Sequence, residues 1–214
     1  MKYATIKLIT LLAFFLGGCA SHTVYLNDHF EEIKKNHHTI AILPFAIHFE
    51  NPYLKTKKPS INFGKRELEA SLDSQKEMFM HIAKQIEKGN YEFSLQNFTK
   101  TNQILKEQNI SIDTIELQNK GYLAQILGVD AVIFSDLSIT ISQLYSSMYP
   151  AMPNPTFRIR DGATLQIKIF DAKSEEMLWS NEFSNQPNHP LDTPHQLASS
   201  LIRSSAKSLP YKNK

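Results

Sequence analysis

The hydrophobic and polar positions of the chain fall into runs with recognisable periods. Residues 39–47, TIAILPFAI, carry Ile40 and Ile42 on one alternating face and Ala41 and Leu43 on the other. Apolar on both sides, this run predicts a strand covered from both faces, with Pro44 ending the pairing or sitting where no ladder donor is needed. Residues 48–72 show no sustained period and contain Pro52 and Pro59, so they read as a long loop. Residues 75–88 then place Met78, Phe79, Ile82, Ala83 and Ile86 at the three-and-four spacing of an amphipathic helix, with Gly89 as its stop. A short strand over 91–95 follows, and Asn97 caps a second helix running to about residue 108. Asp113 and Glu116 have the spacing of a capping box. They predict a third helix whose apolar face is Ile115, Tyr122, Leu123, Ile126 and Leu127, stopped by Gly128.

Residues 129–142, VDAVIFSDLSITIS, predict a long strand of two characters. Its first half is apolar on both faces. Its second half alternates Leu137, Ile139 and Ile141 against Ser138, Thr140 and Ser142, as a strand does where one face meets water or a partner. Residues 163–170 and 177–184 predict a hairpin joined by DAKSEE, with Leu165, Ile167 and Ile169 facing the same way as Met177, Trp179 and Phe183. Thr193 and Pro194 open a final helix with a stripe of Leu197, Ala198, Leu201, Ile202 and, beyond it, Leu209. The expected fold class is α/β: a mixed parallel and antiparallel sheet flanked by helices, as a single three-layer-like domain over residues 39–209.

The N-terminus has a different grammar. Lys2 and Lys7 precede an apolar run from Leu8 to Leu16 that is too short to span a bilayer, which needs about 20 apolar residues. Gly17, Gly18 and then Cys19, the sole cysteine, complete a layout that resembles the bacterial lipobox. The resemblance implies cleavage after residue 18 and acylation of Cys19 as the new N-terminus. The alternative is an ordinary signal peptide with Cys19 incidental. Residues 1–18 thus read as a signal peptide and residues 19–38 as a lipidated N-terminus and tether, with a short helix over 28–35. Ala20 and Ser21 follow the cysteine without an aspartate, which by resemblance to enterobacterial sorting implies outer-membrane delivery with the domain in the periplasm.

Charge and composition narrow the chemistry. The chain has 23 Lys and Arg against 21 Asp and Glu, and removing Lys2 and Lys7 leaves the mature protein balanced. That gives no broad electrostatic footprint for nucleic acid. One cysteine excludes an intramolecular disulfide and a multi-cysteine metal site. The histidine pairs His37–His38 and His189–His195 lack carboxylates at a recognised ligand spacing, so no metal site is expected. Asp130 and Asp136 lie on one face of the long strand but far apart along it. There is no phosphate loop, nucleophile elbow or Cys–His pair, and the expectation is a non-enzyme without a cofactor.

TIAILPF, LGVDAVIFSDLSI and LQIKIFDAKSEEMLWSNEFS together resemble the CsgG-like and TolB-N-terminal-like group of bacterial envelope lipoproteins, over about residues 39–209. Gly128 to Ala131 and the hairpin from Asp171 to Trp179 carry the resemblance best, although Glu175 stands where that group commonly has a turn glycine. The resemblance implies docking of an envelope protein partner in envelope biogenesis or secretion, with a homo-oligomeric ring among the forms it allows. It also implies an alternative, activation of a peptidoglycan-synthesising enzyme. A pore is not expected, because the segment between the long strand and the hairpin holds Pro150, Pro153 and Pro155 and lacks room for two membrane strands of about 9–11 residues. Tyr145, Met148, Tyr149 and Met152 in that segment are candidate partner contacts, or else fold back over their own sheet. Lys55, Lys57, Lys58, Lys65 and Arg66 read as a solvated basic loop or a contact for anionic lipid or glycan.

Overall fold

The apolar runs become neighbouring strands of one sheet in the computed structural model, which describes residues 22–50, 63–140, 162–186 and 193–212. Seven strands take part: β1 (His22–Leu26), β2 (Thr39–Ile42), β3 (Ala46–Glu50), β4 (Ser94–Leu95), β5 (Ala131–Thr140), β6 (Gly162–Asp171) and β7 (Met177–Asn185). Their order is β1-β7-β6-β5-β2-β4, with β3 also on β5. β5 runs parallel to β2 and β3 and antiparallel to β6, in register from Ala131 opposite Asp171 to Thr140 opposite Gly162. The fold is the expected mixed α/β domain. The two-character reading of β5 holds as well, since its first five residues are buried and the rest alternate.

The run over 39–47 is one strand interrupted. Ile42 sits opposite Ile133 and Ala46 opposite Asp136, so three residues face two and the extra one bulges around Pro44. The break frees backbone carbonyls in the interior, and these must find donors. They find them on α2 (Phe63–Glu87): Ser71 Oγ donates to the Phe45 carbonyl at 2.7 Å and Gln75 Nε2 to the Ile42 carbonyl at 2.8 Å. Gln75 and Asn102 also exchange amide hydrogen bonds of 3.0 and 2.8 Å, joining α2 to α3 (Phe98–Glu107). This corrects the expected loop over 48–72. The chain continues as β3 to Glu50, and α2 begins twelve residues before the predicted start, because its first turns bury Ser71, Ser74 and Gln75 rather than an apolar stripe.

The expected tether is corrected in the same way. Residues 22–26 pair antiparallel with β7, and Phe30, opening the single turn α1 (Phe30–Ile33), is buried in the core. An edge strand buries little of its own surface: Tyr25 is 39% and Leu26 52% exposed, so no apolar face advertised it.

Two clusters cover the two faces. On one, α2 and α5 (Pro194–Ser205) pack Met78, Ile82, Leu197 and Leu201 onto Ile133, Ile167 and Ile169. On the other, α3, the 3-10 turn Ile112–Leu117 and α4 (Lys120–Leu127) bury Leu105, Ile115, Leu123 and Leu127 against Leu43, Val132 and Phe134. The Thr193 cap and the left-handed stops at Gly89 and Gly128 form as expected, and Gln196 completes a capping box with Thr193. The box expected at Asp113 does not. Residues 112–117 wind into the 3-10 turn, and Asn119 caps α4 by accepting from the Tyr122 N–H. Tyr122 is then 52% exposed, not part of the buried face. The expected strand over 91–95 shrinks to β4, with Tyr91 and Phe93 contributing buried rings instead.

The β6–β7 turn explains its missing glycine. Glu175 adopts φ +58°, the left-handed region, and its carboxylate accepts from Asn119 Nδ2 at 2.7 Å and Gln125 Nε2 at 3.0 Å. Those bonds offset the roughly 1 kcal/mol that the conformation costs a side chain. Gly121 of α4 lies against this turn. A Cβ there would overlap the Glu175 Cα and sit 2.9 Å from the Asp171 carbonyl oxygen. Alanine normally stabilises a helix by about 1 kcal/mol over glycine. Here the overlap wins: Gly121→Ala should destabilise by about 1–3 kcal/mol, read as a lowered urea midpoint, and an unchanged or raised midpoint would refute the packing.

Candidate functional site

The described residues do not cover the second face of the sheet throughout. The cluster under α3 and α4 ends at β5 and the partly buried Phe170. Beyond it the register stacks polar side chains on one surface: Asp136, Gln166 and Glu182 across three strands, then Ser138, Thr164 and Ser184. These side chains are half-buried on β5 and β6 and exposed on β7.

At the margin of this surface three titratable groups converge from three elements. His48 comes from β3, Asp136 from β5 and Glu116 from the 3-10 turn. His48 Nε2 lies 3.5 Å from Asp136 Oδ1 and 3.6 Å from Glu116 Oε2. Burial raises the Asp136 carboxyl above its usual range and the neighbouring Glu116 adds to this, while His48 and Lys168 oppose it. Lys120, the first residue of α4, fixes the turn. Its Nζ donates 2.6 Å bonds to the Glu116 and Gln118 carbonyls and lies over the Phe134 ring. Burial first, and then Lys168, push its ammonium below the normal lysine range. Beside it stands Leu117, 84% exposed.

A second polar cluster is interior. His37 Nε2 lies 2.9 Å from Asp171 Oδ1, and His37 Nδ1 lies 2.6 Å from the Tyr211 hydroxyl. A carboxylate only accepts, so Nε2 carries a proton toward Asp171, while Nδ1 and the Tyr211 hydroxyl share the second bond. All three residues are buried. Burial alone would raise the Asp171 carboxyl; hydrogen bonds from Ser174 and His37 outweigh it and hold the group below the usual carboxylate range. Burial drives the Tyr211 hydroxyl well above the ordinary tyrosine value and pushes Tyr91 up to about 12. Outside Tyr211 is a half-open cavity of about 270 Å³ lined by Lys34, Lys35, His38, Glu92, Phe93 and Lys212. The chain of groups joins β6, the approach to β2 and the C-terminal segment.

Of the residues singled out by sequence, Cys19 and the contact candidates Tyr145, Met148, Tyr149 and Met152 lie outside the described residues, as do Lys55, Lys57, Lys58 and His189. Lys65 and Arg66 are exposed on α2, not in a loop, and His195 is exposed on α5. Asp130 is structural: its Oδ2 accepts from the His38 and Thr39 N–H groups at 2.8 Å each. Neither His37 nor the His48 group was legible, because their partners lie 134, 174, 68 and 88 positions away. Among the described residues no helix is long and apolar enough to cross a membrane.

By sequence the chain matches no protein family and no curated protein. Among solved structures it is similar to the LpoB C-terminal domain from Salmonella enterica (11% identity, TM-score 0.37), over 74% of this chain and 93% of that one. It is also similar to the PelC dodecamer from Paraburkholderia phytofirmans (8%, TM-score 0.43), over 91% and 99%. A third is the lipoprotein GNA1162 from Neisseria meningitidis (15%, TM-score 0.41), over 80% and 99%. These neighbours include bacterial lipoproteins, and none of the three is a CsgG or TolB protein.

Proposed function

We propose that the protein is a lipid-anchored periplasmic binding protein of the bacterial outer membrane, working by contact in envelope biogenesis and not as a pore or an enzyme. The observation that carries this reading is the half-exposed polar surface of β5, β6 and β7, with the exposed Leu117 on the turn whose Glu116 reaches its margin. A stable ring or channel needs large, apolar interfaces, whereas a polar surface with a few apolar contacts suits a transient complex. This favours the reading as a regulator of a peptidoglycan-synthesising enzyme over that of a subunit in a secretion assembly. The anchor at Cys19 fixes where such a partner must come. His22 already belongs to the sheet, so only Ala20 and Ser21, at most about 10 Å from Cys19 to His22 if fully extended, separate the lipid from the domain. The partner then meets this surface within a domain's width of the membrane. Tyr145, Met148, Tyr149 and Met152, which follow β5 in sequence, are further candidates for the contact.

Cross-linking in intact cells tests this. The wild type should yield an adduct with an enzyme of peptidoglycan synthesis, and Tyr149→Ala, Met148→Ala and Leu117→Ala should each weaken it, by about tenfold at a hot spot. Cys19→Ala should abolish both palmitate labelling and the adduct. Adduct patterns identical in all variants, a ladder of self-adducts closing at a ring, or ion conductance by the purified protein would each overturn the reading.

A further inference from the structure

We propose that His48, Glu116 and Asp136 form a binding site for a divalent transition cation of the zinc class. The argument starts from distances. His48 Nε2 stands 3.5 Å from Asp136 Oδ1 and 3.6 Å from Glu116 Oε2, too far for hydrogen bonds, which close at about 2.7–3.2 Å. One ligand atom from each of the three residues lies within 4.8 Å of the others. Around tetrahedral zinc, bonds of about 2.0–2.2 Å separate neighbouring donors by roughly 3.3–3.5 Å. His48 is therefore spaced from each carboxylate as one zinc ligand is from another, and the two carboxylates, with oxygens within 4.8 Å, need only rotate inward to share a central ion.

Each ligand is placed by an independent feature of the fold. The parallel register of β3 on β5 sets Ala46 opposite Asp136 and His48 opposite Ser138, which brings His48 and Asp136 onto one face of adjacent strands. Glu116 arrives from the 3-10 turn that Lys120 clasps through two carbonyls. The donor set, one imidazole and two carboxylates, suits zinc or manganese, whereas calcium and magnesium prefer oxygen alone. The charges facing Asp136 are His48, Glu116 and Lys168. A cation between the carboxylates relieves their mutual repulsion, and Lys168 is the neighbour that opposes it. His48 and Glu116 are both nearly half-exposed, so coordination positions stay open to water or to a side chain of a partner. Such an ion would pin the turn that presents Leu117 to the sheet.

The test uses the mature chain carrying Cys19→Ala, which removes the thiol as a competing ligand. Zinc chloride titrated calorimetrically into the metal-free protein should bind one ion per chain and raise the melting temperature. His48→Ala and Asp136→Asn should weaken zinc binding at least tenfold while keeping the wild-type circular dichroism spectrum. Lys168→Met should tighten it, and His38→Ala, at the other cavity, should leave it unchanged. The proposal fails if zinc does not saturate a single site, if His48→Ala and Asp136→Asn bind it as the parent does, or if magnesium or calcium binds as tightly as zinc.

Discussion

Trp179→Ala should lower the free energy of unfolding by about 3–5 kcal/mol, the range for truncating a buried tryptophan. Trp179 is 3% exposed, opposite Ile169 on β6 and Leu26 on β1, in the cluster that Leu197 and Leu201 close from α5. The preceding residue strengthens the expectation. The β6–β7 register slips between Ile169 and Phe170, so Leu178 occupies a bulge and joins the same cluster as its neighbour. Removing the indole then leaves a cavity that a kinked strand, pinned by the Asn27 N–H to Leu178 carbonyl bond of 2.9 Å, cannot collapse to fill. A domain of this size is stable by only about 5–15 kcal/mol, so the loss is a large share of the whole. Urea denaturation of Trp179→Ala beside Leu117→Ala decides it. The surface variant should stay within about 0.5 kcal/mol of wild type. Equal midpoints for Trp179→Ala and wild type would place Trp179 outside the core.

How far the fold could be read depended on whether a segment's burial was apolar. β5, β6, β7 and α5 bury Leu, Ile, Val, Phe and Trp, and their existence and pairing partners were legible. On β7, however, the bulge puts Leu178 beside Trp179 in the core and sets Met177 opposite Phe170 on the other face, where unbroken alternation had aligned it with Trp179. The first half of α2 buries serine and glutamine because it serves the carbonyls freed at Pro44, and no hydrophobic period marks that task. β1 has a neighbour on one side only and leaves Tyr25 and Leu26 in solvent, so it read as tether. The Asp113–Glu116 spacing mimicked a helix start, yet Asn119, six residues later, makes the cap. The polar clusters were unreadable for a different reason. His48, Glu116 and Asp136, like His37, Asp171 and Tyr211, are each brought together only by closure of the sheet, and no local spacing encodes them.

Asp171→Ala should cost about 1–3 kcal/mol at neutral pH, since one of the two donors it strips of a partner, on His37, is buried, and a buried donor left unpaired costs about that much. The donors are the His37 Nε2–H, at 2.9 Å from Oδ1, and the Ser174 N–H, at 2.6 Å from Oδ2. Loss reaches further through the relay. His37 no longer has a fixed orientation toward the Tyr211 hydroxyl, whose ring packs edge-on against Phe30 and Phe93. The same carboxylate sets a pH dependence with a definite sign. Its folded value is depressed below the ordinary aspartate value of about 3.9, so the folded state binds its proton less readily than the unfolded chain. Its contribution is therefore fully present above pH 4 and is lost as the pH falls from there through the folded value. Chemical denaturation of wild type and Asp171→Ala at steps from pH 7 to pH 2 should show a wide gap at pH 7 that narrows only below pH 4. A gap that stays constant down to pH 2, or one that narrows between pH 7 and pH 5, would mean that Asp171 is not the ionised acceptor at the centre of this cluster.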